Sequence, residues 1–370
     1  MKRYAFACFM WLTIQTALAQ KTGAAPEVAL NAVMARHFPA SQPGGALLVV
    51  RDGKTVYNRG VGLANRETQM PITPETNFRM ASVSKQFTAL CILLLEKQKK
   101  LSFDDTLLRF FPDFNPHVGQ KIKLRHLLTH TSGLLDYESL LASDRKDQIF
   151  DAEVLELLKP QDSTYFEPGS RFRYSNSAFC LLTQVVERVA KQPYLDFITE
   201  HIFKPLGMNQ TTLYEPGRTI PNRAMGYARN PDNTIRFSDQ SVTSGTKGDG
   251  CVYTSLTDYK KWNDALTTNQ LVNLPQQLER VQVPLNGPAN GFYGLGWFFT
   301  QTKTGTQALF HSGSTCGFSN CVVWIPAQKT LVVLFSNLAD NHRPFADILN
   351  ALKPAIELSG DIWALHNLTN

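Results

Sequence analysis

Runs of strand-forming residues lie near both ends of the chain, and a long segment of different character separates them. Near the N-terminus, "GGALLVVRDGKTVYNRGVGLANRE" contains two β-rich runs joined at Asp52-Gly53, a typical hairpin signal. From Tyr293 the chain is β-rich again, in "YGLGWFFTQ", "QALFHSG", "NCVVWIP" and "TLVVLFSN". Because strands distant in sequence can share a sheet, this arrangement predicts one α/β domain interrupted by an insertion.

Helical patterns lie outside the β-rich runs at both ends of the chain and also between them. "PEVALNAVMARHF" near the N-terminus and "PFADILNALKPAIEL" near the C-terminus have apolar residues at helical spacing. The segment between the β-rich ends contains several helical patterns and many prolines and glycines. We therefore predict an α/β (α+β) fold with a sheet domain from residues 25–100 and 245–358, an inserted mostly helical domain from 101–244, and a C-terminal tail from 359–370.

Residues 1–19 are predicted to be a signal peptide. Lys2 and Arg3 precede an apolar stretch, and Ala17-Leu18-Ala19 supplies the small residues of a cleavage site. The alternative is a short buried N-terminal helix. A signal peptide predicts a protein that is exported to the periplasm or secreted.

The composition excludes several classes of protein. With 43% hydrophobic and 18% charged residues, the chain is typical of a globular protein and not of a disordered one. Its formal charge of +6 comes without a clustered Lys/Arg run, so nucleic acid is not an expected partner. No apolar run reaches the length of a membrane span. His126 and His130 lie four apart without the glutamate of a metalloprotease helix, so no metal site is predicted.

A serine and a lysine three residues apart open an apolar helix in "ASVSKQFTALCILLLEK". At this spacing Lys85 can reach the hydroxyl of Ser82. Burial lowers the pKa of a lysine so that it can accept a proton, and a helix N-terminus favours negative charge on the serine oxygen. The same spacing occurs at residues 143–146 and 244–247, but only Ser82 precedes a long apolar helix. A plain helix cap is the alternative for Ser82.

Two further motifs lie beside predicted secondary structure. Tyr174 and Asn176 precede another apolar helix, where a phenol can carry a proton and an amide can bind a substrate carbonyl. His311-Ser312-Gly313 ends a β-rich run, and its glycine would let a ligand backbone lie along the strand edge. Taken singly, Asn176 could be a helix cap, Tyr174 a core residue and His311 a turn residue.

Taken together and in this order, Ser-x-x-Lys, Tyr-x-Asn and His-x-Gly resemble the motifs of the penicillin-recognising serine hydrolases. The chain is similar to the branch with class C β-lactamases, D-alanyl-D-alanine carboxypeptidases, D-aminopeptidases and related esterases. The resemblance includes "NFRMASVSKQFTA", "LRHLLTHTSGL", "FEPGSRFRYSNSAF", "IFKPLGM", "YGLGWF" and "HSGSTCGFSN". It implies a β-lactamase/transpeptidase-like fold, with an antiparallel sheet flanked by the N- and C-terminal helices, and a hydrolase without cofactor or metal.

The resemblance also implies a role for each motif residue. Ser82 would be the acylated nucleophile, and Lys85 and Tyr174 would share its activation and the delivery of a proton to the leaving group. Which of the two is the base stays open, because strongly coupled groups titrate as a pair. Asn176 would bind the substrate amide, and the backbone N–H groups of Ser82 and Ser314 would form the oxyanion hole.

The motif from His311 to Gly313 indicates which substrates are expected. In β-lactamases the first residue of this motif is usually lysine, whereas this chain has His311. A histidine is a pH-dependent cation and would hold a substrate carboxylate less securely at neutral pH. Some carboxypeptidases and D-aminopeptidases of the branch are similar at this position. The resemblance therefore favours an exported enzyme that forms an acyl-enzyme with a D-amino-acid peptide or a small ester. A β-lactamase and a non-catalytic penicillin-binding-like protein are the alternatives, and the oligomeric state is open.

Five cysteines remain once the predicted signal peptide is removed, an odd number for an oxidising compartment. Cys91 and Cys180 lie in apolar helical stretches and are predicted core residues. The resemblance puts Cys251 and Cys316 at the border of the active site, and we expect a disulfide between them. Cys316–Cys321 is the competing pair, because geometry and not sequence decides the pairing.

Overall fold

The computed structural model of the chain describes residues 27–285, 291–301, 305–353 and 356. The predicted signal peptide and the predicted C-terminal tail lie outside the described residues. Among the helices of the described ranges, none is both long and apolar enough to cross a membrane.

The strands are most numerous near the two ends of the chain. They are β1 (Gly45–Arg51), β2 (Lys54–Val61), β3 (Leu63–Asn65), β4 (Met70–Pro71), β5 (Phe78–Arg79), β6 (Thr212–Leu213), β7 (Tyr227–Arg229), β8 (Ile235–Phe237), β9 (Val252–Thr254), β10 (Val283–Pro284), β11 (Phe292–Gly294), β12 (Trp297–Gln301), β13 (Gln307–Thr315), β14 (Phe318–Ile325) and β15 (Thr330–Ser336).

The helices occupy most of the region between the strands. They are α1 (residues 27–37), α2 (Lys85–Lys97), α3 (Leu107–Phe110), α4 (Pro116–Gly119), α5 (Leu124–Leu128), α6 (Tyr137–Leu140), α7 (Asp151–Leu158), α8 (Asn176–Ala190), α9 (Tyr194–Ile198), α10 (Lys247–Gly250), α11 (Leu256–Thr267), α12 (Leu274–Arg280) and α13 (Arg343–Leu352). Short 3₁₀ helices span Ala81–Ser84, Val242–Gly245 and Pro326–Gln328, and a π-helical turn spans Thr199–Phe203. Helices α3 to α9 fall within the predicted insertion, whose boundaries stay a prediction.

One antiparallel sheet of eight strands joins the two ends of the chain, in the order β10-β11-β12-β13-β14-β15-β1-β2. Strand β1 pairs on one side with β2, and the hairpin turns at Asp52-Gly53, where both residues have positive φ. On its other side β1 pairs with β15, from Gly45 opposite Ser336 to Val50 opposite Leu331. The prediction that N- and C-terminal strands share a sheet, and the predicted antiparallel fold class, are therefore confirmed.

The sheet is buried on both faces, as the side chains of β1 illustrate. Leu47 and Val49 pack with α1 and α13, whereas Leu48 and Val50 belong to the larger core that contains α2, α8 and α11. Alternate residues of a strand point to opposite faces, so a continuous apolar run such as that of β1 fits a strand covered on both sides. The large core carries the helix that begins just after Ser82, and so this face holds the candidate site.

Asn337, directly after the inner strand β15, connects three segments of the chain. Its side chain is fully buried, and its Oδ1 accepts a hydrogen bond from the Gly44 N–H at 2.8 Å. Its Nδ2 donates to the carbonyl oxygens of Leu63 and Met225 at 3.0 and 2.9 Å. A buried amide whose donors and acceptor are all used holds the N-terminal strands, the insertion and β15 together.

We expect Asn337→Asp to destabilise the fold by about 3 kcal/mol. The second oxygen of the aspartate would replace the Asn337 Nδ2 donor, so a buried carboxylate would face the carbonyl oxygens of Leu63 and Met225 with no hydrogen to donate to them. Thermal or urea unfolding measures the change. Asn58→Asp, at an exposed position of β2, is the matched control and is expected to change stability by less than about 0.5 kcal/mol. Equal effects of the two substitutions would contradict the role given to Asn337.

Candidate active site

The backbone around Ser82 holds its hydroxyl at the edge of a pocket. Residues Ala81–Ser84 form a 3₁₀ helix that runs directly into α2. Ala81 has φ of +50°, a conformation that a residue with a Cβ adopts only at an energetic cost. The Oγ atom of Ser84 accepts a hydrogen bond from the Val252 N–H at 3.1 Å, which ties the 3₁₀ helix to β9. Ser82 itself lines the pocket.

Lys85 is fully buried at the start of α2, and its Nζ atom donates three hydrogen bonds. The acceptors are Ser82 Oγ at 3.1 Å, Asn176 Oδ1 at 2.9 Å and the carbonyl oxygen of Asp249 at 2.9 Å. The amide and carbonyl oxygens can only accept, whereas a hydroxyl can also donate. The same geometry therefore fits an ammonium that donates to Ser82 and a neutral amine that accepts its proton.

Asn176 begins α8 but does not cap it. The cap is Ser175, whose Oγ accepts a hydrogen bond from the Ala178 N–H at 3.2 Å. The Asn176 amide lies between two partners, because its Oδ1 accepts from Lys85 and its Nδ2 donates to Glu138 Oε1 at 2.9 Å. The capping role considered as an alternative for Asn176 thus belongs to its neighbour.

Tyr174 lies beside Lys85 with its ring and not with its hydroxyl. The Nζ atom of Lys85 is 4.9 Å from the centre of the Tyr174 ring. The Tyr174 Oη atom is buried and has no hydrogen-bond partner in the described part of the chain. Its phenol proton is therefore not committed to another protein group there, although the sequence-based prediction of a direct role next to Ser82 is not tested by this arrangement.

The end of β13 forms one wall of the pocket. Pairing with β12 stops at Phe310, whereas pairing with β14 continues to Thr315, so in the described ranges the last residues of β13 have a strand neighbour on one side only. A Cβ on Gly313 would lie 2.2 Å from the Met80 carbonyl oxygen and 3.2 Å from the Ser82 backbone nitrogen. Only glycine permits this approach, which brings the exposed Ser314 to the pocket beside Ser82.

His311 is a buried ring, and its predicted role as a pH-dependent cation that holds a substrate carboxylate stays a prediction. It is 1% exposed, and its Nδ1 lies 2.6 Å from the Ser312 carbonyl oxygen. Because a carbonyl oxygen only accepts, Nδ1 carries the proton and Nε2 has a free lone pair. Burial, opposed in part by the Ser312 hydrogen bond, lowers the pKa of His311 to about 3.

Three charged residues of the pocket were not found from the sequence: Arg79, Glu138 and Asp249. Arg79 donates three hydrogen bonds, to the carbonyl oxygens of Gly250 and Ser244 and to the side-chain oxygen of Gln240, and all three acceptors are neutral. Asp249 is buried, and its Oδ1 has no partner within the described residues. Burial raises the pKa of both pocket carboxyls, Glu138 and Asp249.

The predicted disulfide between Cys251 and Cys316 is wrong, and so is the competing pair Cys316–Cys321. All three thiols are free in this structure. Cys251 is buried in the large core, where its Sγ contacts the Lys247 carbonyl oxygen at 3.7 Å. Cys321 points to the opposite face of the sheet, into the core that contains α1 and α13. Cys316 follows β13 and has Ser244 Oγ 3.7 Å from its Sγ.

The competing Ser-x-x-Lys matches have other partners. Ser143 is exposed, whereas Ser244 Oγ accepts the Ser241 N–H at 2.9 Å and Lys247 forms an ion pair with Glu215 at 2.6 Å. The helical face considered for His126 and His130 is not formed either, since α5 ends at Leu128.

The Beta-lactamase family profile matches residues 32–354, most of the chain. The chain belongs to the beta-lactamase family. The suspected relationship to penicillin-recognising hydrolases is therefore confirmed, and as a beta-lactamase-like protein the chain is a hydrolase of that family.

Individual relatives agree with this assignment. The chain is 31% identical to penicillin-binding protein 4* of Bacillus subtilis over 318 residues, which is 81% of this chain and 70% of that one. Several further relatives, at 27–28% identity, are longer, and the chain spans only 61% of their length. Among solved structures, a penicillin-binding protein from Bacillus halodurans superposes with a TM-score of 0.75 at 26% identity, over 88% of this chain and 99% of that one. D-amino acid amidase from Ochrobactrum anthropi SV3 shares the fold, with a TM-score of 0.74 at 23% identity, over 89% and 99% of the two chains.

For this beta-lactamase-like protein, we expect His311 to weaken the fold in acid. Its pKa in the folded chain lies below the usual 6.5, so the unfolded chain takes up the proton first as the pH falls. The contribution of neutral His311 to the free energy of unfolding is fully present above about pH 6.5, and it declines by up to about 1.4 kcal/mol per pH unit below that pH.

Unfolding temperatures between pH 8 and pH 5 provide the measurement. His311→Gln should reduce the loss on acidification, whereas His117→Gln, at an exposed histidine, should leave it unchanged. An identical pH profile for His311→Gln and the wild type would contradict a buried neutral His311.

Proposed function

We propose that the chain is an exported serine hydrolase that forms an acyl-enzyme on Ser82 and acts on amides or esters of D-amino acids. The observation that carries this proposal is the fully buried Lys85, with Ser82 Oγ as one of its three hydrogen-bond partners. Export rests on the predicted signal peptide. The preference for D-amino acids rests on the resemblance described above and agrees with the amidase of similar fold.

In the proposed reaction, Ser82 Oγ attacks the carbonyl carbon and its proton passes to the neutral Lys85 amine. The backbone N–H groups of Ser82 and Ser314 would bind the oxyanion, and the close approach at Gly313 supports that pairing. The uncommitted phenol of Tyr174 would deliver a proton to the leaving group as the C–N or C–O bond breaks, and the proton that Lys85 took from Ser82 would return to the Tyr174 phenolate before deacylation. A water molecule then hydrolyses the ester on Ser82 and regenerates the hydroxyl.

The charges in the pocket favour a substrate that carries a free amine. Glu138 and Asp249 line it, and neither carboxylate forms an ion pair with a basic side chain of the described residues. Arg79 directs its N–H groups at neutral oxygens, and His311 is uncharged. A β-lactam carboxylate would meet two like charges, whereas an ammonium group would gain a charge-assisted hydrogen bond. This observation favours an aminopeptidase-like or amidase-like activity over a β-lactamase.

We expect Ser82→Ala to abolish covalent labelling by a fluorescent penicillin or a fluorophosphonate, because among the described residues Ser82 Oγ is the one hydroxyl hydrogen-bonded to Lys85 Nζ, and the other two acceptors have no proton to give. Labelling is read by gel fluorescence. Ser143→Ala removes an exposed serine at the same spacing from a lysine and should label like the wild type. Equal labelling of Ser82→Ala and the wild type would refute the acyl-enzyme, and rapid nitrocefin turnover would favour a β-lactamase.

Glu138→Gln should lower kcat/KM for D-alanine p-nitroanilide about 10- to 100-fold, because a hydrogen bond to a charged group is lost. The N-acetylated anilide should be unaffected, since glutamine can still accept the hydrogen bond from Asn176. Burial raises the pKa of Glu138, so acidification neutralises this carboxylate at a higher pH than an ordinary carboxyl. The preference of the wild type for the free amine over the N-acetylated substrate should therefore decrease as the pH is lowered. A Glu138→Gln loss that is the same for both substrates would contradict amine recognition.

A further inference from the structure

We propose that His130 is a positioning residue that fixes Tyr174 for proton transfer to the leaving group. The proposal rests on the proposed function, because it concerns the same reaction. His130 lies between α5 and α6, is fully buried, and is not one of the residues that the sequence motifs single out for catalysis.

His130 holds the backbone on both sides of Tyr174. Its carbonyl oxygen accepts the N–H of Arg173 at 2.9 Å, and its ring Nδ1 accepts the N–H of Ser175 at 3.1 Å. We call these two hydrogen bonds the His130 clamp. Between them, the His130 ring packs on the Tyr174 ring with a centroid separation of 4.2 Å. One residue thus constrains both the backbone and the aromatic plane of Tyr174.

The backbone of His130 supports a functional reason for this arrangement. Its φ is +55°, in the left-handed region that residues other than glycine seldom occupy and that histidine, asparagine and aspartate tolerate better than most. Such conformations cost roughly 1–3 kcal/mol and are found where the surrounding structure requires them. Here the turn presents the carbonyl oxygen and the ring nitrogen of the same residue to one short segment.

The contacts of His130 do not involve the hydroxyl oxygen of Tyr174, the atom that would carry the transferred proton. Because Nδ1 of His130 accepts a backbone N–H, the proton of the neutral ring lies on Nε2. That Nε2 and the hydroxyl oxygens of Tyr174 and Tyr293 are buried without hydrogen-bond partners in the described chain. The tyrosine is therefore held through its backbone and its ring face, and its buried hydroxyl is not committed to another group of the described chain.

A misplaced phenol should affect amides and activated esters differently. The amine leaving group of an amide departs only when it receives a proton, whereas p-nitrophenolate departs without one. Loss of the clamp should therefore lower the ratio of amide to ester turnover. A purely structural role would lower the amount of folded enzyme and leave this ratio unchanged.

His130→Asn and His130→Gln form a matched pair for the test. The Asn side-chain oxygen can replace Nδ1 as acceptor for the Ser175 N–H and tolerates positive φ, whereas the longer Gln side chain cannot replace it. His130→Gln should lower kcat/KM for D-alanine p-nitroanilide about 100-fold, a loss typical of a displaced catalytic group, and that for p-nitrophenyl acetate only about threefold. His130→Asn keeps both hydrogen bonds of the clamp and loses only the ring contact, so its amide-to-ester ratio should stay much closer to that of the wild type than the ratio of His130→Gln does.

His126→Gln is the control histidine. Its Nδ1 also accepts a backbone N–H, that of Lys123 at 3.2 Å, but this bond does not touch the Tyr174 segment. It should leave the amide-to-ester ratio unchanged even if the unfolding temperature falls. An unchanged ratio in His130→Gln, a ratio in folded His130→Asn as low as that in His130→Gln, or an equal drop in His126→Gln would overturn the proposal.

A double-mutant cycle with Tyr174→Phe tests whether His130 acts through the tyrosine. His130→Gln should cause no further loss of amide turnover in the Tyr174→Phe background, and full additivity would refute the clamp. Ser82→Ala is assayed in parallel. Turnover that survives in Ser82→Ala refutes the proposed function, whereas loss there with an unaltered ratio in His130→Gln refutes the clamp alone.

Discussion

The burial of the Lys85 side chain is the constraint on which the arrangement of the site depends. A lysine removed from water needs oxygen acceptors, and the chain supplies them from three segments: the 3₁₀ helix before α2, the start of α8 and the backbone of α10. A buried amine or ammonium group without acceptors would cost several kcal/mol, so these three hydrogen bonds stabilise the packing of the segments that supply them. The packing of α2 against α8 and α10 and the placement of the Ser82 hydroxyl are thus coupled through one nitrogen atom.

Much of the fold and part of the site follow from local sequence signals. The continuous apolar run of β1 and the Asp52-Gly53 turn predict a buried hairpin, and the apolar helix after Ser82 separates one Ser-x-x-Lys match from two others. Contacts between distant segments carry no such signal. The approach of Asp249 to Lys85, and the burial of His311, exist only after segments far apart in the sequence have packed together. The Cys251–Cys316 prediction failed for the same reason, since proximity to a site does not specify where a side chain points.

The electrostatic character of the pocket also departs from what its motifs suggest. Lysine and arginine are close to it, yet their N–H groups are directed at neutral oxygens of the protein itself. Neither of the two carboxyl groups forms an ion pair among the described residues, and burial raises the pKa of both, although the Asn176 hydrogen bond to Glu138 and the charges of Lys85 and Arg79 near Asp249 oppose this effect. The ammonium group of the proposed substrate would supply the missing ion-pair partner. Recognition in this site then depends less on which charged residues are present than on which have already found a partner inside the fold.

The pairing of β1 with β15 has a consequence for how the protein is made. Strand β1 and Ser82 are synthesised early, whereas β15, which pairs with β1, and β13, which lies beside Ser82, come much later in the sequence. Contacts between segments so far apart form slowly, and only once both partners exist. The wall of the pocket that β13 supplies is absent until that strand has been made, so the first part of the chain cannot form the geometry around Ser82 by itself.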